Sequence, residues 1–373
     1  MSNVNAAVES LAARLKRKQI RGSHNVALET ALVLRQVVSN ARWSNQDQLV
    51  DQVKEIGRRL VKAAPRELAC GNVVRRILRV IREEYRELRE LIGETAPFTP
   101  MTPATIAPDN FQFDRLTLSP IVSNMFHPSN GAQPAKSMTS RQEQQHFDLK
   151  PQIIQGIQEF IDELKTIYEN ISAQALDHIH SNEIIMTHAS SKTVESFLRH
   201  AAKKRKFTVI LAEAMPNDLK PTHSMATTLS KAGIDVIVIP ESAVFAMMSR
   251  VNKVLLGTHS VLANGGLLAS SGARMIAAAA QRHSIPVVCC TGLYKLSPMY
   301  PHDVESFMEL VSPEKVLGFE EGDLIDKVEV INPYYDYVSP ELVQLYITNL
   351  GGHPPSYLYR LVGDHYDAVD TVL

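Results

Sequence analysis

The feature that most constrains the fold is an alternation of short, apolar, β-rich runs with helical stretches in the second half of the chain. Strands of about five residues that are separated by helices are typical of a parallel sheet covered on both faces. The β-rich runs are Glu183–Thr187, Phe207–Ala212, Ile234–Ile239, Lys253–Gly257, Pro286–Cys290 and Val328–Ile331. The helical stretches are Ser191–Lys203, Thr222–Ala232, Ser242–Ser249, Gly272–His283 and, near the end, Pro340–Leu350. The predicted fold class is α/β, with a Rossmann-like, doubly wound parallel sheet over residues 182–373.

The first 92 residues predict an N-terminal helical domain, because apolar positions recur every three or four residues. The period is clearest over Asn72–Ile92, and Val26–Val38 and Leu49–Val61 repeat it. The rest of the Asn72–Ile92 surface is rich in arginine, which indicates either a solvated helix face or a contact surface for an acidic partner. Residues 93–150 are rich in Pro, Thr and Ser and are predicted to form a long, partly disordered loop. A connecting helix is predicted over residues 151–181.

Composition excludes several classes of function. Apolar residues make up 45% and charged residues 21% of the 373 residues, as in an ordinary globular protein. The formal net charge of -1 gives no global reason to bind nucleic acid or an anionic membrane. Three cysteines cannot form a disulfide framework in a chain of this length, and they indicate reduced thiols. With neither a signal-peptide pattern nor an apolar run long enough to span a bilayer, we expect a cytosolic protein.

The motifs predict neither a cofactor nor a metal. The loop after the first strand, Thr187-His188-Ala189-Ser190-Ser191, has no glycine and therefore lacks the dinucleotide-binding pattern. A phosphate-binding loop ending in Gly-Lys-Ser/Thr is also absent from the sequence. The spacing of the histidines does not suit a metal site, since His178 and His180 point in different directions on a helix. Ser190 or Ser191 is expected to cap the following helix.

Loops at the carboxyl ends of the parallel strands are where ligands of such sheets bind. The candidate pocket residues therefore follow the first and fourth strands: Thr187, His188, Ala189, His259, Asn264 and Gly265. The Asn264-Gly265 turn has two interpretations, a tight turn alone or a close approach of a ligand to the backbone. Lys295, after the fifth strand, and His178 and His180, before the first, are candidates for a subunit interface.

Several segments resemble one known family. Glu183–His188, Asn252–His259 and Leu262–Gly266 are similar to the family of the alpha, beta and delta subunits of translation initiation factor 2B. Methylthioribose-1-phosphate isomerase and ribose-1,5-bisphosphate isomerase are related to these subunits. The segments most similar to the beta-type members are Tyr294–Pro298, Leu310–Glu314, Glu321–Leu324, Asp336–Leu342 and Asn349–Tyr357.

The chain departs from the isomerases at the residues that carry their chemistry. By this resemblance, the isomerases have a cysteine where Ala189 stands and an aspartate where His259 stands. Their phosphate-binding stretch matches Arg21-Gly22 but not Ser23–Ala27. A cysteine and an aspartate can move a proton between sugar carbons by general acid–base catalysis, whereas an alanine cannot. The resemblance therefore implies a vestigial pocket without catalytic residues.

The resemblance also implies partners. It implies a non-catalytic regulatory and assembly subunit of the guanine-nucleotide exchange factor that acts on translation initiation factor 2. The partners would be the alpha, gamma, delta and epsilon subunits in a two-fold symmetric decamer, with the exchange domain on epsilon. The subunit would help to bind the alpha subunit of translation initiation factor 2 and to sense its phosphorylation. Two alternatives are an active sugar-phosphate isomerase and a metabolite-sensing pseudoenzyme without catalysis.

Overall fold

The computed structural model describes residues 2–43, 45–92, 149–301, 303, 307–325 and 327–373. The chain divides into two compact units, one of residues 1–87 and 149–373 and the other of residues 88–148. Of the second unit, only residues 88–92 are described, as the end of a helix. The predicted loop over residues 93–150 lies outside the described residues except at its last two positions. The division into domains at residues 92, 150 and 181 stays a prediction.

Helices form the first part of the fold, as the apolar period predicts. They are α1 (Ser2–Lys16), α2 (Ser23–Asn40), α3 (Gln46–Ala63), α4 (Leu68–Ile92), α5 (Lys150–Ala173) and α6 (Ala175–His178). Each long helix turns an apolar stripe inwards. In α2 this stripe includes Val26, Ala31 and Leu34, which are fully buried. The polar residues of the same helices lie on the opposite, solvated faces, which is how an amphipathic helix packs on a core.

The second part alternates strands and helices. The strands are β1 (Ile184–His188), β2 (Thr208–Ala212), β3 (Asp235–Ile239), β4 (Lys253–Gly257), β5 (Ser260–Val261), β6 (Leu267–Ser270), β7 (Val287–Cys290), β8 (Tyr335–Val338), β9 (Leu345–Thr348) and β10 (Gly351–His353). The helices are α7 (Lys192–Ala202), α8 (Leu219–Lys231), α9 (Val244–Met248), α10 (Ala273–Arg282), α11 (Gly322–Ile325) and α12 (Leu358–His365). The first five predicted strands and the four predicted helices between them are confirmed.

The main sheet has seven strands in the order β10-β9-β7-β4-β1-β2-β3. All neighbours are parallel except β10, which runs antiparallel to β9 at one edge. The chain builds outwards from β1 through β2 to β3 and then returns to place β4 on the other side of β1. The strand order therefore reverses between β1 and β4, and this is where open α/β sheets bind ligands. A second, antiparallel sheet has the order β5-β6-β8.

Two predicted elements are wrong. Residues Val328–Ile331 form no strand, and Val328 and Ile331 are exposed, because the apolar run has no sheet neighbour to pair with. Pro340–Leu350 is not a helix: only Pro340–Leu342 makes a single 3-10 turn, and β9 follows. Tyr346 and Ile347 in β9 are completely buried beside β7, where an aromatic and a β-branched side chain suit a strand better than a helix.

The arginine-rich face of α4 contacts the chain's own C-terminal segment. Arg82 makes two hydrogen bonds of 2.9 Å to the buried carboxylate of Asp370, and Lys54 lies 2.8 Å from the same group. Arg75 donates to the carbonyl oxygen of Thr371, and Arg79 to that of Gly363. The sequence left two interpretations of this face, a solvated surface and a contact surface for an acidic partner. Neither describes these three arginines, because they bind the C-terminal segment of the same chain.

No helix in the described ranges combines the length and the apolar character that crossing a membrane requires.

Candidate functional site

A cavity of about 350 Å³ lies at the carboxyl ends of the central strands. Its lining comes from the loops after β1, β4 and β7 and from the start of α2. The cavity is thus placed at the point where the strand order reverses, and the helical part of the chain covers one side of it. Asn72 of α4 joins the same two parts, since its amide donates to the carbonyl oxygen of Tyr294 over 3.1 Å.

His188, the last residue of β1, faces a carboxylate across the cavity wall. Its Nε2 lies 3.0 Å from Oε1 of Glu241, and the imidazole is almost fully buried. Gly272, with φ of 101°, leaves room for this pair, because a Cβ at that position would lie 2.6 Å from Glu241 and 2.8 Å from His188. The pair closes one side of the cavity with a polar contact.

Ala189 is the turn residue between β1 and α7. Its φ of 54° lies in the left-handed region, which non-glycine residues adopt at a cost of about 1–2 kcal/mol. Two residues later, Ser191 caps α7 by accepting a hydrogen bond from the backbone N–H of Val194, which confirms one of the two predicted caps. The methyl group of Ala189 is buried and has no ionisable atom, so this position offers no proton carrier.

His259, after β4, is held by residues from both parts of the chain. Its Nδ1 lies 3.0 Å from Ser23 Oγ and 3.2 Å from the hydroxyl of Tyr335. The Ser23 hydroxyl donates to the carbonyl oxygen of His259, and the Tyr335 ring stacks on the imidazole at 4.6 Å. Burial lowers the pKa of His259, while Oε2 of Glu67, 3.4 Å from Nε2, opposes that shift. Hydrogen bonds and stacking thus fix the imidazole in the wall, and its lowered pKa favours the neutral form.

Lys295, placed after β7, lines the cavity and is buried. Its ammonium group donates to the carbonyl oxygen of Thr258 over 2.7 Å. Burial lowers the pKa of Lys295 to about 8, although the neighbouring thiols of Cys289 and Cys290 favour its charged form. A lysine with such a pKa loses its charge more readily than an exposed one.

The lining of the cavity is electropositive. Three cationic side chains, those of Arg21, Lys192 and Lys295, and one carboxylate, that of Asp218, line the cavity, while the carboxylates of Glu67 and Glu241 contact its two histidines. The N-termini of α2 and α7 also border the cavity, and the first N–H groups of a helix attract anions. Chemically, this arrangement suits an anionic ligand better than a cationic one. In the part of the chain that the structure describes, no group of three His, Cys, Asp or Glu side chains could hold a metal ion.

Three of the predicted pocket residues, His188, Ala189 and His259, line the cavity, and Thr187, Asn264 and Gly265 do not. Asn264 and Gly265 form the turn between β5 and β6. The Asn264 side chain accepts a bond from the N–H of Gly266 and donates to the hydroxyl of Tyr337, and Gly265 has φ of 87°. These contacts match the interpretation of a tight turn.

The predicted interface residues are dispersed. His178 ends α6 and packs on Phe197, with burial lowering its pKa. His180 is exposed, and its backbone N–H donates to Glu183. Lys295 is inside the cavity wall. An interface role for these three residues stays a prediction.

Sequence reasoning missed four residues of the site: Glu67, Glu241, Tyr334 and Tyr335. Glu241 opens a 3-10 turn, Tyr334 lies in a loop and Tyr335 opens β8, all without a recognisable motif, and Glu67 comes from the helical half of the chain. The one available signal was the change at Ser23 in the phosphate-binding stretch, which occurs together with the change at His259. The two altered positions touch in the fold.

The sequence model of the Initiation factor 2 subunit family matches residues 19–355, which is most of the chain. The chain belongs to this family.

Two curated members of the family are similar to it over almost their whole length. A protein of Schizosaccharomyces pombe named translation initiation factor eIF2B subunit beta is 50% identical over 393 aligned positions and covers both chains completely. The Dictyostelium discoideum protein of the same name is 44% identical, over 98% of this chain and 96% of its own.

Solved structures also match this chain over nearly its whole length. The crystal structure of eIF2B beta from Chaetomium thermophilum matches with a TM-score of 0.69 and 30% identity, over 99% of this chain and 93% of that one. A chain of the tetrameric eIF2B-beta2-delta2 complex from the same organism matches with a TM-score of 0.69 and 31% identity, over 97% of this chain and 95% of that one. A 5-methylthioribose 1-phosphate isomerase from Pyrococcus horikoshii shares the fold, at a TM-score of 0.56 and 18% identity over 96% of this chain and 87% of its own.

These matches confirm the family expected from the sequence, and they confirm a regulatory subunit of the eIF2B type as the function. Both relatives that match over almost their whole length are named beta subunits, whereas the isomerase shares only its fold with this chain.

Proposed function

We propose that this chain is the beta-type regulatory subunit of a guanine-nucleotide exchange complex, and that it acts by binding other proteins. The observation that carries the proposal is the replacement of both proton carriers at the cavity. Ala189 has no ionisable group, and His259 is fixed by Ser23 and Tyr335. A cavity without the cysteine and the aspartate that the resemblance gives to the isomerases lacks their pair of proton carriers, which leaves assembly as the use of the intact fold.

The proposed partners are the alpha, gamma, delta and epsilon subunits of the complex, arranged as a two-fold symmetric decamer in the cytosol. The delta subunit comes first among them, because a similar chain forms a tetramer described as eIF2B-beta2-delta2. Two copies of each chain fit the rule that closed assemblies are symmetric. The exchange reaction itself is assigned to the epsilon subunit.

The proposed regulation is a response to phosphorylation of the alpha subunit of translation initiation factor 2. A phosphate group can change which surface of the complex its carrier prefers, and this coupling needs different contacts in two states of the assembly. This chain would contribute binding surface in the productive state.

The test is nucleotide exchange by the reconstituted complex. GDP release from translation initiation factor 2 is measured with and without this chain, each in the presence of phosphorylated and unphosphorylated substrate. We expect the complete complex to be inhibited by the phosphorylated form. Equal inhibition of a complex that lacks this chain, at the same epsilon concentration, would refute a regulatory role.

A second candidate function is metabolite sensing without catalysis, and the electropositive cavity favours it. Arg21 and Lys192, with the two helix N-termini, offer a phosphate group several donors. Calorimetric titration of the assembled protein with sugar phosphates tests this function. Heat that disappears in the Arg21→Ala variant would support it, and the absence of heat in the wild type would remove it.

A further inference from the structure

One buried cation at the cavity has no anionic partner. Lys295 is 7% exposed and lines the cavity at the carboxyl ends of the central strands. Its ammonium group donates to the carbonyl oxygen of Thr258 over 2.7 Å, and it forms no ion pair with a described residue. An ammonium group has several N–H donors, so one carbonyl oxygen leaves this group incompletely satisfied.

Two other lysines with little exposure show the usual arrangement. Nζ of Lys54 lies 2.8 Å from the carboxylate of Asp370, and Nζ of Lys253 lies 3.5 Å from that of Glu183. A carboxylate thus balances each of these charges. Lys295 has no such partner, and burial lowers its pKa to about 8. The neutral amine, which is the nucleophilic form, is therefore more populated at Lys295 than at an exposed lysine.

The same cavity has positive charge at its exposed edge. Arg21 lies just before α2 and Lys192 opens α7, and both exposed side chains line the cavity without an ion pair to a described residue. The first N–H groups of the two helices also attract an anion. Asp218, the carboxylate in the lining, accepts a hydrogen bond from the Tyr334 hydroxyl. A phosphate group at this edge leaves the rest of a small ligand inside the cavity of about 350 Å³, which Lys295 lines.

We propose that Lys295 captures a phosphorylated aldehyde as an imine, while Arg21 and Lys192 bind its phosphate group. The nitrogen lone pair attacks the aldehyde carbon to form a C–N bond, and the carbonyl oxygen becomes a hydroxyl group. When the C=N bond forms, that oxygen leaves as water with the two protons of the amine, so no oxidant or reductant takes part. The inference does not depend on the proposed assembly function. It rests on the second candidate function and deepens it by naming the ligand class.

The test uses the full chain and pyridoxal 5′-phosphate, which is a phosphorylated aldehyde. Sodium borohydride reduces the imine to a stable secondary amine, and mass spectrometry of peptides measures the labelled fraction of each lysine over time. Lys253 is the control for a lysine paired with a carboxylate, and the exposed Lys204 is the control for a surface lysine. We expect Lys295 to be labelled at least about tenfold faster than either control.

Two matched double variants test the phosphate-binding residues. Arg21→Ala with Lys192→Ala should slow the labelling of Lys295 at least about tenfold, because charge-assisted hydrogen bonds to the phosphate group are lost. Lys203→Ala with Arg205→Ala removes the same charges outside the cavity and should change that rate less than about twofold. Circular dichroism checks that both variants are folded.

Three results would overturn the inference. One is labelling of Lys295 no faster than that of Lys204, and another is labelling that Arg21→Ala with Lys192→Ala leaves unchanged. If Lys295 stays unlabelled while sugar phosphates still give heat in calorimetry, the inference fails and metabolite sensing stands. If neither labelling nor heat is observed, both fail.

Discussion

Ser23 Oγ lies 3.0 Å from Nδ1 of His259, although 236 positions separate the two residues in the chain. Ser23 opens α2 in the stretch that departs from the phosphate-binding pattern of the isomerases, and His259 stands where those enzymes have an aspartate. The two departures thus form one contact. Each side chain therefore supplies part of the other's hydrogen bonding inside a buried wall, with Tyr335 as the second partner of the imidazole.

Replacing His259 by alanine should therefore destabilise the fold. The hydroxyl of Tyr335 loses its partner and Ser23 keeps only the backbone carbonyl oxygen of residue 259, and a buried polar group without a partner costs about 1–3 kcal/mol. We expect the free energy of unfolding in urea to fall by about 2–3 kcal/mol for His259→Ala. Tyr335→Phe removes one hydroxyl contact and should cost about 1 kcal/mol. An unfolding free energy of His259→Ala equal to that of the wild type would show that the contact contributes nothing.

Asp370 should be far more sensitive to substitution than other carboxylates of the C-terminal segment. Burial alone would raise its pKa, but hydrogen bonds from Arg82 and Lys54 hold that pKa below the ordinary value. Asp370→Ala leaves two cations facing an apolar methyl group, which we expect to cost about 3–5 kcal/mol in urea unfolding. Asp364, paired with Arg360 at 3.8 Å on the surface, is the control, and Asp364→Ala should cost less than about 1 kcal/mol. Equal losses in the two variants would contradict the role of the α4 arginines.

Stability should fall at acidic pH in part through His365. Burial, with Arg76 and Arg79 nearby, lowers its pKa to about 3 in the folded chain. In the unfolded chain a histidine has a pKa near 6.5, so as the pH falls the unfolded chain binds this proton before the folded chain does. The contribution of His365 to the free energy of unfolding is therefore fully present above about pH 6.5 and is lost progressively towards pH 3. Between pH 6.5 and 5 this loss of unfolding free energy is at most about 2 kcal/mol. The unfolding free energy of His365→Gln, measured at pH 7.5 and 5, should fall less than that of the wild type. An identical fall in both would contradict this prediction.

Restoring one catalytic residue should not restore catalysis. Ala189→Cys supplies a thiol at the turn after β1, but His259 still stands where the isomerases have an aspartate, and its Nδ1 is held by Ser23 and Tyr335. We expect no isomerisation of methylthioribose 1-phosphate or ribose 1,5-bisphosphate by this variant, followed by NMR of the sugar protons. The wild type is its control. Turnover by Ala189→Cys above the wild-type background would show that the chemistry of the site needs only one residue.

Much of the fold could be predicted from local pattern, because the helices bury one apolar face and the inner strands are buried along nearly their whole length. The parallel strands from β1 to β7 are continuous apolar runs, and α2, α3 and α4 have clear helical stripes. Prediction failed where pairing with a distant strand decides the conformation. β9 is a strand because Tyr346 and Ile347 lie beside β7, and Val328–Ile331 is not one because no strand accepts it. The local sequence does not distinguish these two cases.

The candidate site was predictable only in part, for the same reason. His188, Ala189 and His259 follow strands of the main sheet, and the rule on the carboxyl ends of strands places them at one edge. Ser23 opens α2 and Glu67 precedes α4, both in the other part of the chain, and Glu241 belongs to the turn before α9. Their positions depend on how the two parts pack. The glycine neighbours of Asn264 predict a pocket residue at a tight turn, but its side chain forms hydrogen bonds within the β5–β6 turn, outside the cavity.

The central claim is that this chain is an assembly subunit with a fixed place beside a homologous partner. Native mass spectrometry after co-expression with the delta and alpha subunits tests it most directly. The account predicts a stable hetero-oligomer that contains this chain and delta in equal numbers. A homodimer of this chain that takes up neither partner would contradict the account.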